Sequence, residues 1–163
     1  MNAAALLALD PGPEHSALVR WDGAAISIKQ YSDNAEILSL LRDRSNQAEP
    51  LVIEQVVSYG MAVGQTVFET CVWTGRFMEA YGAEHVRRIP RIDVKMHLCH
   101  NSRAKDGNLR QAILDRFGGK DKAIGKKARP GPLYGISGDL WAALALAITA
   151  GDVRIITEEE KRS

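Results

Sequence analysis

The chain has 163 residues, 45% of them hydrophobic, which suits one domain with a real core and is too apolar for a disordered chain. No apolar run is long enough for a membrane helix, and the first residues lack the basic start of a signal peptide, so they read as a strand. The net charge of +1 hides an asymmetry: residues 1–83 hold 5 Lys/Arg against 10 Asp/Glu, and residues 84–163 hold 16 against 10.

Residues 3–9 form an apolar run suited to a buried strand, and Asp10-Pro11-Gly12 ends it in a turn. Residues 15–21, carrying Ala17, Leu18 and Val19, are a second strand. Asp22-Gly23 suits a tight hairpin, so residues 25–30, with Ile26 and Ile28 alternating against Ser27 and Lys29, complete an antiparallel meander. Asp33 or Asn34 caps a helix to about Arg44, with Ile37, Leu38, Leu40 and Leu41 on its apolar face. Leu51-Val52-Ile53-Glu54 is a short buried strand. A strand–helix–strand crossover makes it parallel in the same sheet. Pairing beside the first strand then brings Asp10 and Glu54 out at one carboxyl edge, where open α/β sheets hold their sites.

Residues 58–64 are broken by glycine, and helical spacing follows over residues 65–81, with Val67, Cys71, Thr74 and Met78 on one face. Residues 85–89 read as the last strand, and residues 93–100 and 108–117 as helices. The 118–137 segment is basic and rich in Gly and Pro, which predicts a loop that is mobile when unliganded. Residues 140–150 form a final helix, apolar nearly all round, lying against the sheet. The reading is one α/β domain over residues 1–157, with residues 158–163 as a charged tail. Cys71 and Cys99 match no zinc or redox spacing; Cys71 is expected as a buried small hydrophobe and the compartment as a reducing one, the cytoplasm.

Three acids end core elements: Asp10 and Glu54 close apolar strands, and Asp139 stands at the mouth of the final helix. A carboxylate in apolar surroundings is costly. Turn formation or helix capping explains one such acid more readily than three. A shared divalent site explains all of them. Mg²⁺ or Mn²⁺ takes oxygen ligands, and two ions about 4 Å apart suit phosphodiester hydrolysis. Two basic stretches, one running from Arg87 through Lys105 and one from Lys120 to Arg129, fit a polyanionic substrate.

Leu7-Ala8-Leu9-Asp10-Pro11-Gly12 resembles the opening strand of the RuvC-type Holliday junction resolvases. Val52-Ile53-Glu54-Gln55-Val56 resembles their second acidic motif, Gly64-Gln65 the segment after it, and residues 139–149 their closing acidic helix. These motifs span residues 6–150 in the family's order, and the whole is most similar in look to phage and prophage members of bacterial cells. The resemblance implies a ribonuclease H-like fold: a mixed five-stranded sheet with an antiparallel three-stranded meander and flanking helices. It implies a metal-dependent crossover junction endodeoxyribonuclease that nicks branched DNA symmetrically, leaving a 5′-phosphate and a 3′-hydroxyl. Asp10, Glu54 and Asp139 would hold two Mg²⁺ or Mn²⁺ ions. A homodimer would match the symmetry of a four-way junction, with residues 65–81, carrying Phe68, Trp73, Phe77 and Tyr81, as its surface.

The chain departs from the prototype at two places. Ala142 stands where the prototypes carry a second acid, three residues after the first, and Asp106 or His100 is the candidate replacement. Val57 replaces an aromatic beside the second motif, and Tyr59 is the candidate for contacting the junction. Arg87, Arg88, Arg91, Lys105, Lys120, Lys122, Lys126, Lys127 and Arg129 are candidate DNA-binding residues, positioning phosphates rather than reading bases. His15, His85 and His97 receive no role. The competing readings are another nuclease of this fold acting on RNA, flaps or forks, and a catalytically silent DNA-binding protein.

Overall fold

The computed structural model describes residues 4–163, apart from the side chains of residues 155–160, so Ala3 of the predicted first strand lies outside the described residues. Five strands form one mixed sheet: β1 (Leu6–Asp10), β2 (His15–Trp21), β3 (Ile26–Asp33), β4 (Leu51–Gln55) and β5 (Val86–Pro90). Their order is β3-β2-β1-β4-β5. The meander β1-β2-β3 is antiparallel, and β4 and β5 run parallel to β1. This is the α/β architecture expected from the sequence.

Local chemistry accounts for the turns. The Asp22 carboxylate accepts the backbone N–H groups of Ala24 and Ala25 at 2.9 and 2.7 Å, closing the hairpin. Asp33 accepts the N–H of Glu36 at 3.0 Å and caps α1 (Asn34–Arg44).

Strand alternation sorts the core into two layers. Leu7, Leu9, Leu18, Leu51 and Ile53 pack under α1 and α2 (Gln65–Tyr81), against Ile37, Leu41, Phe77 and Tyr81. Leu6, Ala8, Ala17, Val19, Val52 and Ile89 pack on the other face. That face is covered by α3 (Arg91–Cys99), α4 (Asp106–Arg116) and the long α6 (Leu140–Glu160).

Three expectations are corrected. The buried face of α2 is Thr70, Thr74, Phe77 and Tyr81, and Cys71 is exposed. The threonine hydroxyls donate to carbonyls one turn back (Thr70 to Thr66, Thr74 to Thr70, both 2.8 Å), so they enter the core already satisfied. The final helix continues through Gly151 to Glu160, taking up part of the expected tail. Asp152 holds its added turns, pairing with Arg116 at 2.6 Å and with His97 at 2.7 Å.

The 118–137 segment, expected as a loop, carries short regular elements. It contains α5 (Lys120–Ala123) and a small hairpin of β6 (Gly125–Lys126) and β7 (Arg129–Pro130). Ala123, Leu133 and Ile136 anchor it in the core. Gly131 lets the chain pass close to itself: its N–H bonds the Ile124 carbonyl at 2.8 Å, and a Cβ there would lie 2.3 Å from the Ala123 oxygen. Among the described residues, no helix is long and apolar enough to cross a membrane.

Candidate active site

Strand parity decides where the acids point. Leu6 and Ala8 face α6, so Asp10, two residues on, emerges on that face. Val52 faces α6, so Glu54 does too. The parallel register pairs Leu9 with Ile53, which makes Asp10 and Glu54 neighbours at the carboxyl edge. Asp139 immediately precedes α6, its carbonyl accepting the N–H groups of Ala142 and Ala143 at 3.1 and 3.2 Å. A cleft of about 390 Å³ brings together Asp10, Asp139, Asp106, Arg91, Gly138, Leu109, Trp141 and Ala142.

The turn after Asp10 is held by residues that sequence reasoning passed over. Buried Ser16 donates to the Asn34 Oδ1 at 2.6 Å and accepts the Gly12 N–H at 3.1 Å; Asn34 Nδ2 donates to the Gly12 carbonyl at 2.9 Å. A Cβ on Gly12 would lie 2.3 Å from the His15 oxygen, so the tight Asp-Pro-Gly turn requires glycine.

The electrostatics are unusual. Burial, then the neighbouring Glu54 and Asp139 charges, push the Asp10 carboxyl up to about 8, against the partial relief of Arg91. Burial also raises Glu54, again opposed by Arg91. Burial disfavours charge on Arg91 as well, but Glu54 and Asp106 outweigh it and keep the guanidinium protonated. This is a pocket with more negative charge than its one arginine balances.

Arg91, expected as a phosphate-contacting residue, pairs with two acids of this group. Its Nη1 is 3.3 and 3.5 Å from the two Glu54 oxygens, and its Nη2 donates to Asp106 Oδ1. The cause is local: β5 ends at Pro90, opposite Gln55, and α3 starts at once, so Arg91 follows directly beside Glu54. Lys95, one turn along α3, adds to the positive field at Glu54.

The remaining candidates lie elsewhere. Arg87 and Arg88 are exposed on the edge strand β5. Lys105 is exposed just before α4, and Lys120, Lys122, Lys126, Lys127 and Arg129 are exposed on the folded basic segment. Tyr59 is exposed, with a left-handed backbone, in the segment between β4 and α2. His100, weighed as a replacement ligand, is exposed at the end of α3 and does not line the cleft.

Among the described residues, no three His, Cys, Asp or Glu side chains are gathered closely enough to hold an ion as they stand. The donors nevertheless fit a hard divalent cation: they are all carboxylate oxygens, and burial together with the Glu54 and Asp139 charges disfavours the charged form of Asp10, which a bound cation would offset.

No family model and no curated protein matches the chain. Solved structures do. Thermus thermophilus RuvC is similar over 93% of this chain and 96% of its own, at 18% identity and a TM-score of 0.61. The chain has the RuvC fold. T. thermophilus RuvC in complex with a Holliday junction substrate matches over 94% of this chain and 96% of its own, at 17% identity and a TM-score of 0.63. The RuvC fold accounts for the sheet order β3-β2-β1-β4-β5.

Proposed function

We propose that this chain is a divalent-metal-dependent endonuclease for branched DNA, resolving four-way junctions by paired nicks that leave a 5′-phosphate and a 3′-hydroxyl. The observation that carries it is that Asp10 and Glu54 leave the carboxyl ends of adjacent parallel strands of a RuvC-fold sheet, with Asp139 and Asp106 lining the cleft beside Asp10. Asp10, Glu54 and Asp139 would hold Mg²⁺ or Mn²⁺. Asp106 would serve as the further ligand, since it lines the same cleft as Ala142, where the prototype acid is missing. Bound there, the cations would supply charge neutralisation at the phosphate and a lowered pKa for the attacking water.

The rest is work for the chain itself. Asp10, fixed by the Ser16–Asn34–Gly12 bonds, orients the centre of the site. Exposed Lys120, Lys122, Lys126, Lys127, Arg129, Arg87, Arg88 and Lys105 would hold phosphates of the arms without reading bases. Tyr59 would contact the unpaired centre of the junction.

A homodimer would present two sites to a two-fold substrate. Exposed Phe68 and Val72, one turn apart on α2, with Met61, Val56 and Val57 in the preceding segment, support that surface. Phe77 and Tyr81 do not, because both are buried in their own core. The bacterial cytoplasm, and a phage or prophage origin, complete the proposal.

The test is cleavage of a labelled synthetic four-way junction beside linear duplex, flap and RNA-containing duplex, in Mg²⁺, Mn²⁺ or EDTA, with Asp10→Asn as control. Paired nicks in the junction alone, lost in EDTA and in the variant, are expected. A second reading, a silent junction-binding protein, is favoured by Ala142 and by the Arg91 bridges to Glu54 and Asp106. Tight binding with no cleavage in either metal would select it.

A further inference from the structure

The site described above contains a cation of its own. Arg91 spans two acids of contrasting setting: the Glu54 side chain is 18% exposed and the Asp106 side chain 83%. Its position is unfavourable in isolation. It is the first residue of α3, where the helix dipole disfavours positive charge, and it is itself only 34% exposed. Two carboxylates overcome both costs, and Glu54 finds its ion-pair partner there. The same oxygens of Glu54 and Asp106 are those a divalent ion in this cleft would take.

Resting on the metal-site reading above, we propose that Arg91 is a built-in competitor for the divalent ion. It occupies Glu54 and Asp106 while the site is metal-free and is displaced from Glu54 when the ion binds. Arg91 is then a positioning residue: it keeps the buried acid paired and folded, and it sets how much free metal is needed to load the site. Freed from Glu54, its guanidinium would be a donor for an arriving anion such as a DNA phosphate. The alternative is that Arg91 only orients Glu54 for the ion. The two roles differ in sign. Removing a competitor tightens metal binding, and removing an orienting group weakens it.

The experiment is calorimetric titration of the DNA-free protein with Mn²⁺, comparing wild type, Arg91→Met, Arg91→Lys and Asp10→Asn, with circular dichroism confirming that each is folded. Arg91→Met is expected to bind about tenfold more tightly, the scale of one nearby unit charge removed from a partly screened site. Arg91→Lys should fall between it and wild type. A second measurement needs no loss of the arginine: the Arg91 Nε–Hε signal of the wild-type protein, assigned by its absence from the Arg91→Lys spectrum, should move as Mg²⁺ is added. Unchanged or weaker Mn²⁺ binding in folded Arg91→Met overturns the inference, as does an Arg91 signal indifferent to saturating Mg²⁺. In either case the metal-site reading survives if wild type binds and Asp10→Asn does not. No binding by wild type overturns both.

Discussion

Asp10→Asn should stabilise the metal-free protein at alkaline pH. Burial and two acidic neighbours hold the Asp10 carboxyl at about 8, against 3.8 for a free aspartate. The folded state therefore binds this proton more tightly than the unfolded state does, and the sign follows: stability falls as pH rises between about 4 and 8, and the loss is complete above 8. At about 1.36 kcal/mol per unit, a gap of about four units sets a ceiling on the order of 5 kcal/mol. Reorientation of the acid toward the cleft would leave about half of that. Asparagine keeps the shape without the charge, and its amide can donate to Glu54 or Asp139. Urea denaturation in EDTA should show the variant more stable by about 2–5 kcal/mol at about pH 8, with the difference narrowing as pH falls toward 4. A variant no more stable than wild type at pH 8, with the wild-type pH slope retained, would refute the reasoning.

Three further outcomes are expected. Loading wild type with Mg²⁺ near pH 7 should release close to one proton, because Asp10 must ionise to serve as a ligand; titration in buffers of different ionisation enthalpy measures it, and the apparent affinity should rise with pH up to about 8. Lys126→Ala with Lys127→Ala should weaken binding to junction and linear DNA alike and reduce the salt slope by about 2, read from binding isotherms across salt concentrations. Phe68→Asp with Val72→Asp should shift the protein toward monomer in analytical ultracentrifugation while leaving its melting temperature nearly unchanged, because both side chains are already exposed.

Strand periodicity and turn chemistry made most of the sheet legible. Asp22-Gly23 and Asp33 act as the hairpin and cap they resemble, and the expected bounds of β2, α1 and α2 match those observed. The failures share a physical pattern: local composition was silent about partners far along the chain. On α2 the face buried with Phe77 and Tyr81 carries Thr70 and Thr74, which can enter the core because their hydroxyls bond within the helix. Gly151 and Asp152 look like a helix end until Asp152 meets Arg116 and His97. Glycines in the 118–137 segment look like an irregular loop, yet Gly131 allows close packing around Ala123 and Ile124.

The placement of the acids was more legible than their balance. An acid ending an apolar strand inherits the face of the residue two places before it, so Ala8 and Val52 fix Asp10 and Glu54 on the α6 side. Whether those acids are matched by a cation depends on register, which the linear sequence does not display. Arg87, Arg88 and Arg91 are alike in composition, but the first two spread along an exposed edge. Only Arg91 falls past the end of β5, level with the carboxyl edge, where the pairing of Gln55 with Pro90 delivers it to Glu54. The same edge that gathers the acids thus also supplies a positive charge paired with Glu54 and Asp106. If the proposed site is loaded, its metal affinity would depend jointly on the acids ending β1 and β4, on Asp139 before α6, and on one arginine at the start of α3.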